Sequence, residues 1–277
     1  MGGSPVGFQY IDLKKEDGVA IAWLNKPKAN TYDLDLMRDI SGVVDDIRFD
    51  DDTHICVWVS KLEGMWSAGA DINLLATSTP DYKAMFCLSC QETLDKMEKT
   101  PKLFIAALNG HTVGGGLEIA LACDLRFMQR GKKDPATGQV TPFQIGLPEI
   151  TLGVLPGTGG TQRLPRLIGK SHALDLMITG RKLLADEALS LGLVDRVWDE
   201  DNFWAEALTF AKGLTYPNHA GRAVGFIKRA VVEGLEMSLT EGLALERELQ
   251  NRLFSMGDAK EGFRSFLEKR KPRFQGK

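Results

Sequence analysis

The sequence predicts an α/β protein with a helical C-terminal third. Short β-branched, apolar runs alternate with stretches of helical periodicity through the first 160 residues or so. Strand signals then thin out, and no fixed-period repeat, low-complexity tract or Ser/Gly linker divides the 277 residues. Residues 1–200 are therefore expected to form the core, with residues 201–277 as a helical extension.

The elements follow in order. Residues 18–24 (GVAIAWL) and 53–60 (THICVWVS) read as strands, separated by a helix-compatible stretch over 34–49. Residues 82–99 carry apolar positions at helical spacing, Pro101 closes that helix, and 103–108 is a further buried-strand candidate. A third helix-like run, 117–123, leads into a strand over 125–128. From Gly131 the stretch GKKDPATGQVTPF is rich in turn residues and poor in apolar ones, so it reads as a loop or small hairpin. Runs at 171–179, 184–191, 203–213, 219–233, 238–254 and 258–269 read as helices.

Composition excludes several function classes. With 34 Lys+Arg against 37 Asp+Glu the chain offers no basic surface for nucleic acid, and no apolar run approaches the roughly 20 residues of a membrane span. Cys56, Cys87, Cys90 and Cys123 fit a reducing compartment. Cys87 and Cys90 have metal-like spacing but no second ligand pair, so no metal is expected. The N-terminal MGGSPVGF lacks targeting character, and Val6 breaks the myristoylation pattern. Together with a C-terminal QGK that is no peroxisomal signal, this makes the cytoplasm the expected location.

Two glycine clusters invite a nucleotide, but neither fits one. Gln162 stands where a dinucleotide fingerprint needs glycine, and Leu164 stands where the P-loop pattern ahead of Gly169-Lys170-Ser171 needs one. The first cluster, Gly114-Gly115-Gly116, instead runs from a buried strand into an apolar helix, where free N–H groups and the helix dipole can receive a negative oxygen. Glu118 follows, flanked by Leu117, Ile119 and Ala120, residues that favour burial. Glu149, in Gly146-Leu147-Pro148-Glu149-Ile150, is again set among apolar neighbours. Two such carboxylates beside a glycine-rich helix start are the parts needed for proton transfer next to a stabilised oxyanion.

These segments resemble the crotonase (enoyl-CoA hydratase/isomerase) superfamily over nearly the whole chain. The resemblance rests on Ser67–Ile72 (SAGADI), Asn109–Asp124 (NGHTVGGGLEIALACD), Leu147–Ile150, Gly153–Gly169 (GVLPGTGGTQRLPRLIG), Thr179-Gly180-Arg181, Ala185–Val197 and Glu268–Pro272, in that order. It implies a spiral of repeated ββα units, a helical C-terminal region that forms trimers or dimers of trimers, and an acyl-CoA thioester as partner. No separate cofactor is implied, because CoA belongs to the substrate. The N–H groups of Ala70 and Gly115 are implied as an oxyanion hole, with Ala68, Asp71 and Ile72 lining the CoA site and Gly157 helping to hold water. Glutamates at both Glu118 and Glu149 look like a hydratase, adding water to a 2-enoyl-CoA, with Glu118 activating the water and Glu149 protonating the α-carbon. The alternatives are a double-bond isomerase or acyl-CoA hydrolase of the same superfamily and, from another class, a non-catalytic RNA-binding or scaffold protein.

Three features depart from the family pattern. Asn73 replaces a common lysine, leaving Lys269, which matches a lysine that reaches a neighbour's CoA. Trp66 replaces a smaller aromatic and is expected to fill core space. The segment from Asp124 to Glu149 is longer than usual, with Gly131–Thr141 the expected insert, whether as lid, contact with a neighbouring subunit or neither.

Overall fold

Residues 7–276 are described by a computed structural model of the chain; residues 1–6, which carry most of the N-terminal targeting reading, and Lys277 lie outside them. The chain opens with an antiparallel pair, β1 (Ile11–Glu16) and β2 (Val19–Leu24), followed by α1 (Leu34–Arg48). Asp33 caps α1 by accepting from the Leu36 N–H. Next come β3 (Ile55–Ser60), β4 (Gly64–Ser67), α2 (Ile72–Thr77) and α3 (Pro80–Lys99). The same grammar recurs in β5 (Leu103–Leu108), β6 (Gly110–Val113) and α4 (Gly115–Leu121).

The third turn is longer. It contains β7 (Leu125–Gln129), a hairpin of β8 (Gly131–Lys133) and β9 (Val140–Pro142), β10 (Gln144–Gly146), a 3-10 turn (Glu149–Leu152), α5 (Gly160–Ile168) and α6 (Lys170–Thr179). After it come β11 (Leu183–Leu184), α7 (Ala185–Ser190), β12 (Arg196–Trp198) and four helices: α8 (Glu200–Gly213), α9 (Gly221–Gly234), α10 (Leu239–Phe254) and α11 (Gly257–Leu267).

The strands segregate into two main sheets. One has the order β1-β2-β3-β5-β7-β12, parallel after the first pair; the other runs β11-β10-β6-β4, with β4 and β10 both parallel to β6. Each turn sends its first strand to the large sheet and a later one to the small sheet before a helix returns. That repetition generates the spiral, the ββα arrangement implied by the resemblance.

The inner strands β2, β3 and β5 of the large sheet are buried on both faces, which is why they read as unbroken apolar runs. Ala20, Ala22, Cys56, Trp58, Phe104 and Ala106 join one core cluster with α1, α3 and α4. Their alternating neighbours Val19, Ile21, Ile55, Val57, Ile105 and Ala107 join a second with Phe203, Ala207 and Ala211 of α8. Trp66 is fully buried in the first cluster, as expected of a core residue.

Strands beyond those expected also appear. The 3- to 4-residue β4, β6 and β10 lack the length for a periodic signal, and β11 and β12 interrupt the helical third. The insert forms the β8–β9 hairpin. The Lys133 N–H donates to Glu200 and the Lys132 ammonium pairs with Glu63, which ties the hairpin to the body of the chain.

A buried ion pair closes the core against α9. The Lys228 ammonium lies 2.9 Å from the Asp124 carboxylate and donates to the carbonyls of Met97 and Lys102 at 3.0 and 2.9 Å. Removing one partner strands the other in an apolar interior, so Lys228→Met is expected to cost about 3–5 kcal/mol. A urea midpoint within error of the parent would refute that.

Candidate active site

The small sheet decides where the site forms. Because β4 and β10 run parallel to β6, with Ser67 beside Thr112 and Gly146 beside Val113, the chain leaves all three strands at one edge. Residues 68–71, 114–118 and 147–149 therefore emerge side by side, at the carboxyl ends of parallel strands, where a cleft arises naturally.

Close approach there depends on glycine. Gly114 has φ +57°, and a Cβ on it would sit 3.2 Å from Glu149 Oε1. Gly69, at φ +90°, lies so near the start of α4 that a Cβ would meet the Gly115 nitrogen at 2.8 Å. A Cβ on Gly115 itself would run into the ring of Tyr32.

Two backbone donors face this cleft. An isolated bridge joins Tyr32 and Ala70 through Tyr32 N–H to Gly69 O (2.8 Å) and Asp71 N–H to Tyr32 O (3.0 Å), so the Ala70 N–H is directed away from Tyr32. Gly115 is the first residue of α4, whose N–H has no carbonyl within the helix. Among the described residues neither N–H has a hydrogen-bond acceptor. Both line a cavity of about 410 Å³.

Glu118 and Glu149 line the same cavity in different environments. Glu118 is 1% exposed, and its Oε1 accepts from the N–H groups of Thr158 and Gly160, each at 2.7 Å. Burial raises its pKa, and the two N–H groups act in the opposite sense. Glu149 Oε2 is buried with no hydrogen-bond partner. Burial, with the Glu118 charge adding to it against the hydrogen bond from its own backbone, pushes this carboxyl up to about 7. The pair therefore favours one ionised and one neutral carboxyl near neutrality, with the hydrogen-bonded Glu118 the better placed to hold the charge.

The turn holding Glu118 is itself held. Gln91 of α3 donates to the Gly157 carbonyl at 2.9 Å, Arg163 donates to the Thr158 carbonyl at 3.2 Å, and Tyr32 OH and Thr158 Oγ1 lie 2.7 Å apart. Arg163 is anchored in turn by Glu98 and by Asp95. Burial and the Glu118 charge raise the Tyr32 phenol well above its ordinary range, so it remains protonated.

Of the residues singled out by sequence, Ala68, Ala70, Ile72, Gly115, Glu118, Glu149 and Gly157 line the cavity together. Asp71 does not. Its carboxylate caps α2, accepting from the N–H groups of Asn73 and Leu74 at 2.8 and 3.3 Å. Asn73 is exposed on that helix, and Lys269 follows the end of α11; neither lines the cavity in the single chain. No residue of the β8–β9 hairpin lines it either, so within one chain the insert is not its lid. Tyr32, Lys83 and Thr158 were not anticipated, and each lines the cavity. Tyr32 lies in a loop without a motif; Thr158 meets Glu118 through its backbone N–H, which carries no residue-type signal, and Tyr32 through its hydroxyl.

Known proteins agree with this architecture. Residues 14–277 match the family model described as enoyl-CoA hydratase/isomerase. The chain is 33% identical over 262 residues to the short-chain-enoyl-CoA hydratase of Clostridium acetobutylicum, covering 94% of this chain and 95% of that protein. It is 32% identical over 277 residues to the crotonyl-CoA hydratase of Syntrophomonas wolfei, covering 98% and 100%. A crystal structure of an enoyl-CoA hydratase from Geobacillus kaustophilus superposes with a TM-score of 0.91 at 48% identity, covering 97% of each chain. One from Bacillus anthracis does so with a TM-score of 0.88 at 31% identity, covering 97% of this chain and all of that one. With spiral, paired carboxylates and free N–H donors all in place, the chain belongs to the enoyl-CoA hydratase/isomerase family, an enzyme family.

Proposed function

We propose that the protein is a hydratase that adds water across the double bond of a 2-enoyl-CoA thioester to give the 3-hydroxyacyl-CoA. The observation that carries this reading is the pair of carboxyl groups in unequal environments, Glu118 buried and Glu149 half-buried, sharing one cavity with two N–H groups that have no acceptor. The hydratases named among the relatives support the substrate class.

The thioester oxygen is received by the N–H groups of Ala70 and Gly115, which drains electron density from the conjugated β-carbon. Ionised Glu118 takes a proton from water as the water oxygen bonds to that carbon. The π electrons move toward the thioester, and the developing enolate oxygen gains from the two donors, each worth about 3 kcal/mol in comparable sites. Neutral Glu149 then delivers its proton to the α-carbon. Glu118 now holds a proton and Glu149 has lost one; exchange with solvent resets both. Gly157, whose carbonyl accepts from Gln91, takes the part of holding the attacking water that the resemblance gives it. CoA arrives with the substrate, so the chemistry calls on no further cofactor or metal.

Exposed apolar residues on α9, at its C-terminal end and on α11, Ile227, Val231, Leu235 and Phe266 among them, support the self-association that the resemblance implies. Charge composition and the absence of any helix among the described residues long and apolar enough to cross a membrane are compatible with action in the cytoplasm.

The reading is tested by following the conjugated enoyl-thioester absorbance of crotonyl-CoA and of longer and branched enoyl-CoAs with purified protein. Loss of absorbance with formation of the 3-hydroxy product is expected; unchanged absorbance across the panel would overturn it. A 3-enoyl-CoA product in place of the alcohol would point to the isomerase instead. Gly115→Ala is expected to lower kcat roughly 10²- to 10³-fold, because its methyl displaces the N–H donor against Tyr32. A folded Gly115→Ala variant with parental kcat would remove the oxyanion role from that residue.

A further inference from the structure

Lys83 stands apart from the chemistry just described. It is carried on the first turns of α3, and among the described residues it is the one cationic side chain lining the cavity that holds Glu118 and Glu149. Its ammonium lies 5.3 Å from the centroid of the Phe86 ring, which stacks on Tyr32 at 5.9 Å, the residue beneath Gly115. The cation thus shares one cavity with both carboxyl groups, on the side walled by Phe86 and Tyr32. Its positive charge acts on both glutamates, working against the upward shift that burial gives each.

Other sheltered lysines in this chain have evident partners. Lys228 meets Asp124 and two carbonyls, Lys96 meets Asp45 and Ser41, and Lys102 meets the carbonyls of Asp50 and Thr53. Lys83 makes no ion pair or side-chain hydrogen bond with any described residue, the two glutamates included. A cation that served to balance the catalytic charges would be expected to contact one of them, and hydration itself has no step for it. Its side chain lines the cavity with no protein acceptor for its three donors among the described residues.

We propose that Lys83 recognises a carboxylate at the far end of the acyl group, so that the preferred substrate is a short 2-enoyl-CoA bearing a terminal acid. This inference rests on the hydratase reading and names its substrate class. The thioester oxygen lies at Ala70 and Gly115 and the double bond near the glutamates, so the carbons beyond it have Lys83 as their cationic neighbour. A neutral alkyl tail at that position would desolvate the ammonium and return nothing to it, whereas a carboxylate restores a charge-assisted hydrogen bond. Discrimination therefore comes from both the attraction and the penalty. Leu75 and Leu155 supply apolar wall beside that path.

The test compares kcat/KM for 4-carboxybut-2-enoyl-CoA with that for hex-2-enoyl-CoA, a neutral analogue of similar length, in the parent, Lys83→Met and Lys83→Arg. The parent is expected to favour the acid by roughly 10- to 100-fold, Lys83→Met to lose that preference mainly through KM for the acid, and Lys83→Arg to retain much of it. A parent that hydrates hex-2-enoyl-CoA as well as the acid, or a Lys83→Met variant with an unchanged ratio, overturns the proposal while leaving hydration intact. Should neither thioester be hydrated, the hydratase reading is decided by the wider enoyl-CoA panel, and the lysine is judged by calorimetric binding of saturated glutaryl-CoA against hexanoyl-CoA. Tighter binding of glutaryl-CoA that disappears in Lys83→Met upholds recognition of the acid; equal binding by the parent rejects it.

Discussion

Glu118→Gln is expected to lower kcat for hydration by roughly 10²- to 10⁴-fold, the range for removing a general base. The substitution is nearly isosteric, and its amide oxygen can still accept the two N–H bonds from Thr158 and Gly160 at the α5 entrance. The turn that holds the residue should therefore survive, and the loss should fall on proton abstraction with KM for crotonyl-CoA changed far less. Single-turnover measurement separates the two. Double-bond migration that persists in the variant while hydration disappears would support the division of roles between the glutamates; undiminished hydration would contradict it.

For Glu149→Gln an equally large fall in kcat is expected, accompanied by a change in pH dependence. The carboxyl is pushed up to about 7, so below that pH it carries the proton that, in the proposed hydration, goes to the α-carbon. Hydration in the parent should accordingly decline as pH rises through about 7, and dehydration of the 3-hydroxyacyl-CoA, which needs the ionised form, should gain over the same interval. The glutamine variant should lose both limbs. Linkage gives stability the same sign. A carboxyl whose folded pKa exceeds its unfolded value near 4.5 stays protonated in the folded state after the unfolded state has ionised, so the parent loses stability as pH rises between 4.5 and about 7. Glu149→Gln should thus be the more stable protein at pH 8 in urea titration. A variant with parental pH limbs, or one less stable at pH 8, would place the titrating group elsewhere.

These two effects differ because the environments differ, and that difference was only partly legible in the sequence. Apolar neighbours around Glu118 and Glu149 announced burial, and the run of glycines before Glu118 announced a helix start with free donors. Nothing local revealed that Thr158 and Gly160, some forty residues on, would supply the N–H groups that distinguish one carboxylate from the other. Asp71 shows the converse. Its place in a family motif suggested a ligand contact, while its carboxylate closes the first turn of α2 as an Asx cap.

The alternation of buried apolar runs with helical periodicity determined the α/β class, because local pattern follows from which faces a segment must bury. It also marked Glu118 and Glu149, since a carboxylate amid apolar neighbours is conspicuous by composition. What the tertiary structure alone decided was convergence. The three small-sheet strands are too short to show a period, yet their parallel pairing brings the two free N–H groups and both carboxylates to one edge. Tyr32 and Lys83 reach the same cavity from a loop and a helix, as neighbours in space that no spacing along the chain connects. Periodicity records a residue's own burial; the partner it meets there depends on the path of the whole chain.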